Sequence, residues 1–360
     1  MRDFNVIGVM SGTSLDGVDL VYVNFNYDNK WNFKIIRAKT YKYEDRWIEI
    51  LKDISSKEIL NIKKIDEEYS KKLAEIIEQF IIEFSIKKIN FISSHGHTAI
   101  HDPINSVTYQ IGNLPILSKK INLDVVCDFR IQDVELGGQG APLVPVGEKY
   151  LFQDYNSFIN LGGFANISKY QNSKLIAYDI CPVNIILNKL SKNIGYEYDD
   201  KGLLALSGKK IKNLLSDLNK LTFYSDKAPK SLGIEWVNEK INPLIDKYSH
   251  HPTEDLLNTF THHIVEQIIN EIGDTDKVLF SGGGVYNEFL MNTIKSDSKS
   301  EIVIPSSQII EFKEALIFAF LGVLRYLNID NCYSSVTVSY THLRAHETGR
   351  NLVCRVLLEK

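Results

Sequence analysis

One order of elements occurs twice in this chain, and that repetition limits the folds it can take. Phe4 to Met10 reads as a strand that runs into a turn rich in Gly, Ser, Thr and Asp. Val18–Phe25 and Trp31–Ala38 read as two further strands, separated by Asn26-Tyr27-Asp28-Asn29. Ile65, Tyr69, Leu73, Ile76, Ile77, Phe80 and Phe84 then recur at steps of one to four among Lys, Glu and Asp, which predicts an amphipathic helix lying on a sheet. Ile89–Ser93 resumes a buried strand. In the second pass, Phe158–Leu161 is a strand ending in Gly162-Gly163, and Asn166–Tyr170 and Lys174–Asp179 are two more. A helix starts over Ile185–Leu190, and much later Val278–Ser281 ends in Gly282-Gly283-Gly284. Repeated supersecondary order implies duplication, here of two α/β halves facing a cleft.

The chain of 360 residues has room for roughly two domains. Lys and Arg number 41 against 45 Asp and Glu, a net charge of −4, so no basic field for nucleic acid or anionic lipid is expected. The longest apolar run, Ala315–Leu324, falls far short of the roughly 20 residues of a membrane helix. Met1-Arg2-Asp3 leads directly into a strand, with no signal-peptide core. Cysteines 127, 181, 332 and 354 form no CxxC pair, as in reduced thiols of a cytoplasmic protein. From Val338 to Lys360 the composition shifts to Arg, His and Thr and resembles a non-native tail. His342, His346 and Cys354 therefore receive no functional weight.

The stretch from Gly8 to Asp19 (GVMSGTSLDGVD) carries the most chemistry. Gly12 and Gly17 let backbone N–H groups approach an anion, and Ser11, Thr13 and Ser14 add hydroxyl donors. Asp16 repels a bare phosphate but becomes attractive with Mg²⁺ between them, bound directly or through water. A plain Gly/Asp hairpin turn is the alternative. No Walker A spacing is present, and a strand rather than a helix follows the turn, which excludes the dinucleotide fingerprint. A phosphate-gripping hairpin in each of two duplicated halves points to an ATP cleft of the actin–hexokinase–Hsp70 type. The expected fold class is α/β, with two actin-like (ribonuclease H-like) ATPase domains.

GVMSGTSLDGVD, SHGHTAIHDP (94–103), CDFRIQDVELGGQGAPLVP (127–145), NLGGFANIS (160–168) and SGGGVYN (281–287) occur in that order. With these motifs the chain resembles the anhydro-N-acetylmuramic acid kinase family from about residue 5 to Thr337. The resemblance implies cleavage of a 1,6-anhydro bond in a muramic sugar with phosphorylation of O6, using ATP, Mg²⁺ and water. It implies that Gly12, Thr13, Ser14, Leu15, Asp16, Gly17, Val18 and Asp19 bind ATP phosphates, that Gly162 and Gly163 form a second clamp, and that Gly282, Gly283 and Gly284 approach the adenosine. Asp179 matches the catalytic aspartate of a D-x-x-P-x-N segment. Independently, Asp179 is expected to end a strand before a helix, where it projects as a base for water or caps the helix. Commoner members carry Gly within the stretch where this chain has Cys181-Pro182-Val183.

His95, His97 and His101 invite a metal test, because HxH on a strand puts two imidazoles on one face. No Cys, Asp or Glu stands at ligand spacing, and a position often Gln in the family suits His97 to sugar hydroxyls. Asp128 is a candidate acceptor for sugar hydroxyls and Arg130 a bidentate holder of the lactyl carboxylate, with a structural ion pair as the alternative. Gly137–Pro142 reads as a flexible crossing and hinge. Glu314, opening a helix over Lys313–Leu327, matches a family glutamate near the sugar, or is a first-turn Glu favoured by the helix dipole. His250-His251 and His262-His263 read as surface or helix-face residues. The expected domains are 1–133 with 313–337, and 134–312, with 338–360 set aside. The expected partners are an amino sugar and ATP, and a homodimer is compatible with the reading. A kinase for another sugar and an ATP-gated clamp without enzymatic activity are the competing readings.

Overall fold

The computed structural model describes residues 2–12, 14–171, 174–228, 230–332 and 355–357. They divide into two compact units, one running to Gln153 and resuming at Phe312, the other spanning Asp154–Glu311.

In the first unit β1 (Arg2–Ser11), β2 (Val18–Asp28) and β3 (Lys30–Tyr41) form an antiparallel meander. β4 (Phe91–Ser94) pairs parallel with the other edge of β1. A separate hairpin follows, of β5 (His97–Asp102) and β6 (Val107–Ile111), and then β7 (Val125–Cys127) pairs parallel with β4. The second unit repeats the plan with β8 (Ser157–Leu161), β9 (Phe164–Gln171), β10 (Lys174–Pro182), β11 (Lys277–Ser281) and β12 (Glu301–Val303). The sheet orders are β7-β4-β1-β2-β3 and β10-β9-β8-β11-β12. Both therefore run fifth-fourth-first-second-third, read from one end or the other, with the hairpin β5–β6 left aside. This is the duplicated actin-like arrangement expected from the element order. β13 (Arg355–Leu357) adds antiparallel to the β7 edge; the rest of 338–360 lies outside the described residues.

Alternation along β1 gives the first sheet two apolar faces. Ile7 and Val9 pack with Tyr69, Leu73, Ile77 and Phe80 of the helix Ile59–Glu83, all buried. Gly8 points the other way, onto the helix Ser307–Tyr326, where an added Cβ would stand 2.3 Å from the Ala315 carbonyl oxygen. Gly322 makes the matching approach to Ser93, and the Ser93 hydroxyl donates to the Phe318 carbonyl at 2.6 Å. Two glycines thus let a helix whose Ala315–Leu324 stretch is apolar all round sit directly on the strands, each large side chain contributing roughly 1.5–3 kcal/mol on burial.

The division between units falls after Gln153 rather than after Asp133. The helix Val144–Leu151 holds to Ser307–Tyr326 through Gly147 against Ile317 and a buried Lys313–Glu148 ion pair of 2.9 Å. Phe152 also meets Phe33 of β3. These contacts lie too far apart in sequence for local patterning to show them.

Candidate active site

In the hairpin between β1 and β2, a Cβ on Gly17 would lie 2.5 Å from the Tyr41 carbonyl oxygen, so packing alone calls for glycine there. Gly12 has room for one, 3.5 Å from Ser14 Oγ, so protein packing does not require glycine there. Leu15 takes a left-handed φ of 60°. The Ser14 hydroxyl donates to Asp16 Oδ1 at 2.6 Å on the exposed tip, and the Thr40 hydroxyl donates to Asp19 Oδ1 at 2.5 Å. Val18 is buried at the first position of β2. Thr13 lies outside the described residues.

Ser11 departs from expectation. It is buried, and its Oγ contacts Tyr43 Oη at 2.6 Å, Tyr69 Oη at 2.8 Å and His97 Nδ1 at 3.0 Å. Its hydroxyl is committed beneath the hairpin, not offered to a phosphate. Tyr43 and Tyr69 drew no functional expectation, because both fit core patterning.

His95, His97, Asp128, Arg130 and Glu314 all belong to the first unit. His95 and His97 do not share a strand: β4 ends at Ser94, Gly96 turns the chain with a φ of 72°, and β5 begins at His97. Arg130 Nε donates to His95 Nε2 at 3.0 Å, so the ring proton sits on Nδ1, which donates to the Gly96 carbonyl at 2.9 Å. Both ring nitrogens are thereby occupied, which leaves His95 no lone pair for a metal. Burial, and secondarily the Arg130 charge, hold its pKa well below the ordinary value. Burial alone pushes that of His97 down to about 4.

Arg130 Nη1 also donates to the Gly140 carbonyl at 2.6 Å. With Nε committed to His95 and one Nη1 proton to Gly140, the N–H groups of Arg130 outside these two bonds are on its two terminal nitrogens. The Gly137–Pro142 segment lies inside the first unit; there Asp133 Oδ2 accepts from Gly140 N at 2.6 Å, and a Cβ on Gly138 would collide with the Asp133 carboxylate.

Asp128 is buried with a left-handed φ of 61°, strain of the kind that functional sites retain. Its Oδ1 accepts from Asn113 Nδ2 at 3.2 Å. Glu314 lies well inside the helix that begins at Ser307, which removes the first-turn reading. It is exposed on the helix, with protein atoms crowding it. That crowding raises its carboxyl pKa, against the opposing charges of Lys313 and Arg130.

In the second unit β8 and β11 are parallel neighbours, so their terminal turns lie side by side. Gly282 has a φ of 83°, and a Cβ would meet Asn160 Oδ1 at 2.5 Å and the Leu161 carbonyl oxygen at 2.7 Å. Gly284 packs on Leu161. Around Gly163 and Gly283, by contrast, a Cβ would meet nothing within 4 Å, and Gly162 only ordinary contacts. Their bare backbone faces open space at the C-terminal ends of the parallel strands β8 and β11, the end at which α/β sheets bind ligands. Val183 does not obstruct the turn: its side chain is fully buried and its N–H donates to the Gly163 carbonyl at 2.8 Å.

Asp179 lies within β10, which continues to Pro182, beside a bulge between Asp179 and Cys181. Val183 is the residue before the helix Asn184–Lys192, so Asp179 is not its cap. Asp179 Oδ2 accepts from Leu232 N at 2.9 Å and Ser231 Oγ at 3.1 Å, while Oδ1 takes no hydrogen bond among the described residues. His263 is fully buried between Asn219 and Tyr224, not on a surface. Among the described residues, no group of three His, Cys, Asp or Glu side chains is arranged to hold a metal, and no helix is long and apolar enough to cross a membrane.

The family model for anhydro-N-acetylmuramic acid kinase matches residues 4–344. A protein of that name from Sulfurimonas denitrificans is 35% identical over 340 residues, covering 88% of this chain and 91% of its own. One from Haemophilus influenzae is 31% identical over 366 residues, covering 94% and 95%. One from Bacillus cereus is 30% identical over 351 residues, covering 88% and 91%.

Proposed function

This chain belongs to the anhydro-N-acetylmuramic acid kinase family, a family of sugar kinases, and on that premise we propose that it opens 1,6-anhydro-N-acetylmuramic acid with water and phosphorylates O6 from ATP. The products are N-acetylmuramic acid 6-phosphate and ADP, and the reaction serves cell-wall sugar recycling in the cytoplasm. The observation that carries the reading is the Asp179 carboxylate, with Oδ2 fixed by Leu232 and Ser231 and Oδ1 left for a water.

Asp179 takes a proton from water as the water oxygen bonds to C1 of the sugar. The C1–O6 bond breaks, and its electron pair stays on O6. O6 then attacks the γ-phosphorus, the bond to the β,γ-bridging oxygen breaks, and ADP leaves. The proton on Asp179 returns to solvent. Positioning carries the transfer itself. The hairpin from Gly12 to Asp19 and the turns at Gly162-Gly163 and Gly282–Gly284 hold the nucleotide. The open space beside Gly163 and Gly283 supports that assignment. Asp16, exposed at the hairpin tip, would hold Mg²⁺ directly or through water, and the ion would neutralise charge on the phosphates. His97, Asp128, Arg130 and Glu314 form the sugar side, with the end of the Arg130 guanidinium facing the lactyl carboxylate.

ADP release with and without the anhydro sugar, in ¹⁸O-water, tests the reading. Sugar-dependent turnover with one ¹⁸O in the sugar phosphate is expected, and Asp179→Asn should abolish both. Phosphorylation without label would indicate a kinase for another sugar, and ATP hydrolysis indifferent to sugar would indicate the clamp.

A further inference from the structure

Ser11, Tyr43 and Tyr69 close a ring of three hydroxyls. The oxygens lie 2.6 Å (Ser11–Tyr43), 2.5 Å (Tyr43–Tyr69) and 2.8 Å (Tyr69–Ser11) apart, and a fourth contact of 3.0 Å joins Ser11 Oγ to His97 Nδ1. All four groups are buried. Each contact needs one proton, and the three hydroxyls supply three. If His97 Nδ1 were the acceptor, one buried pair would be left with lone pair facing lone pair. If Nδ1 carries the proton, every contact is filled. Tyr69 then donates to Ser11, Ser11 to Tyr43, Tyr43 to Tyr69, and His97 Nδ1–H to the second lone pair of Ser11. Burial raises the pKa of both tyrosines, so each keeps its proton, and the depressed pKa of His97 keeps that ring neutral.

With Nδ1 protonated, Nε2 of a neutral imidazole can only accept. That atom finds no partner among the described residues and is not sealed in, unlike the enclosed, unpaired Gln110 Oε1 and Gln132 Oε1. We propose that the Ser11–Tyr43–Tyr69 ring fixes His97 as the Nδ1–H tautomer, and that its Nε2 thereby selects a hydrogen-bond donor, a hydroxyl or amide N–H, on the bound sugar. Ser11, Tyr43 and Tyr69 are positioning residues, and His97 is the specificity-determining one. The sugar half of this assignment rests on the function proposed above. The ring itself does not. Because Ser11 is the last residue of β1, the ring also ties the base of the hairpin to the sugar-side histidine.

The ¹⁵N resonances of the histidine rings in the full-length, labelled protein test the tautomer, with His97 assigned by the signals lost in His97→Gln. A protonated, pyrrole-type Nδ1 and a pyridine-type Nε2 are expected without any ligand. Tyr69→Phe and, separately, Tyr43→Phe each leave two contacts for two hydroxyl protons, so the His97 signals should move toward the other tautomer. A protonated Nε2 in the unaltered protein, or no movement in either variant, overturns the ring argument. For recognition, His97→Gln retains an acceptor and should keep the KM for 1,6-anhydro-N-acetylmuramic acid close to that of the parent. His97→Phe should raise it roughly tenfold, with the KM for ATP unchanged. Equal KM values in the two variants overturn the recognition half. Absence of sugar-dependent turnover in the unaltered protein would overturn the proposed function and the recognition half together, leaving the tautomer to the nitrogen measurement.

Discussion

Arg130 Nε donates to His95 Nε2 across 3.0 Å, a hydrogen bond from a guanidinium to a neutral imidazole. Such a contact exists only while the histidine is unprotonated, and burial against Phe318 keeps it so. The pair fixes which edge of the guanidinium remains for a ligand.

Removing the acceptor should loosen that edge. His95→Phe leaves Nε–H unpaired and is expected to raise the sugar KM roughly 10- to 100-fold, about 1.4–2.8 kcal/mol. The KM for ATP should not move. His95→Gln supplies an amide oxygen and should recover most of the loss. Steady-state kinetics on both substrates decide it, and equal effects on both KM values would contradict the positioning role.

The glycines of the second unit should separate into two kinds. Gly282→Ala forces a side chain into a left-handed backbone against Asn160 and Leu161 and should cost about 1–3 kcal/mol of stability. Gly163→Ala and Gly283→Ala place a methyl in open space and should leave urea unfolding unchanged. If those turns hold the nucleotide, both variants still raise the KM for ATP. An unchanged KM would remove them from the nucleotide site.

The Lys313–Glu148 pair, with side chains only 5% and 4% exposed, should be costly to break and cheap to replace. Lys313→Met removes the cation from a buried carboxylate and is expected to cost about 3–5 kcal/mol. Adding Glu148→Leu should restore most of it. A double variant as unstable as the single would show that the loss comes from packing instead. Urea midpoints measure both.

His263 gives a pH signature. Its Nδ1–H donates to Asn219 Oδ1 at 2.6 Å and its Nε2 accepts from the Tyr224 hydroxyl at 2.9 Å, which requires a neutral ring, and burial pushes its pKa down to about 3. Above the unfolded value of about 6.5 the contribution is complete. Between about 6.5 and 3 only the unfolded chain takes up the proton, so stability falls by about 1.4 kcal/mol per pH unit. Below pH 3 this loss stops. The stability advantage over His263→Gln should shrink at that rate in urea titrations between pH 6.5 and 4.5. A constant difference would mean that the ring is not held neutral.

Local signals made much of this protein legible. Strand alternation, glycine turns and the Ile65–Phe84 periodicity depend on neighbours within one or two turns of chain, and they fixed the repeated order that both sheets display. Motif residues named the candidates, because a hydroxyl, a carboxylate or a bare glycine has its chemistry wherever it stands. Their partners were another matter. Ser11 meets Tyr43, Tyr69 and His97 only because β1, the helix Ile59–Glu83 and β5 converge on one buried point. Arg130 meets His95, and Lys313 meets Glu148, across separations that periodicity does not encode. Which atom of a side chain is spent inside the protein, and which is left for a substrate, depends on burial and hydrogen-bond completion, and these exist only once distant segments are packed together.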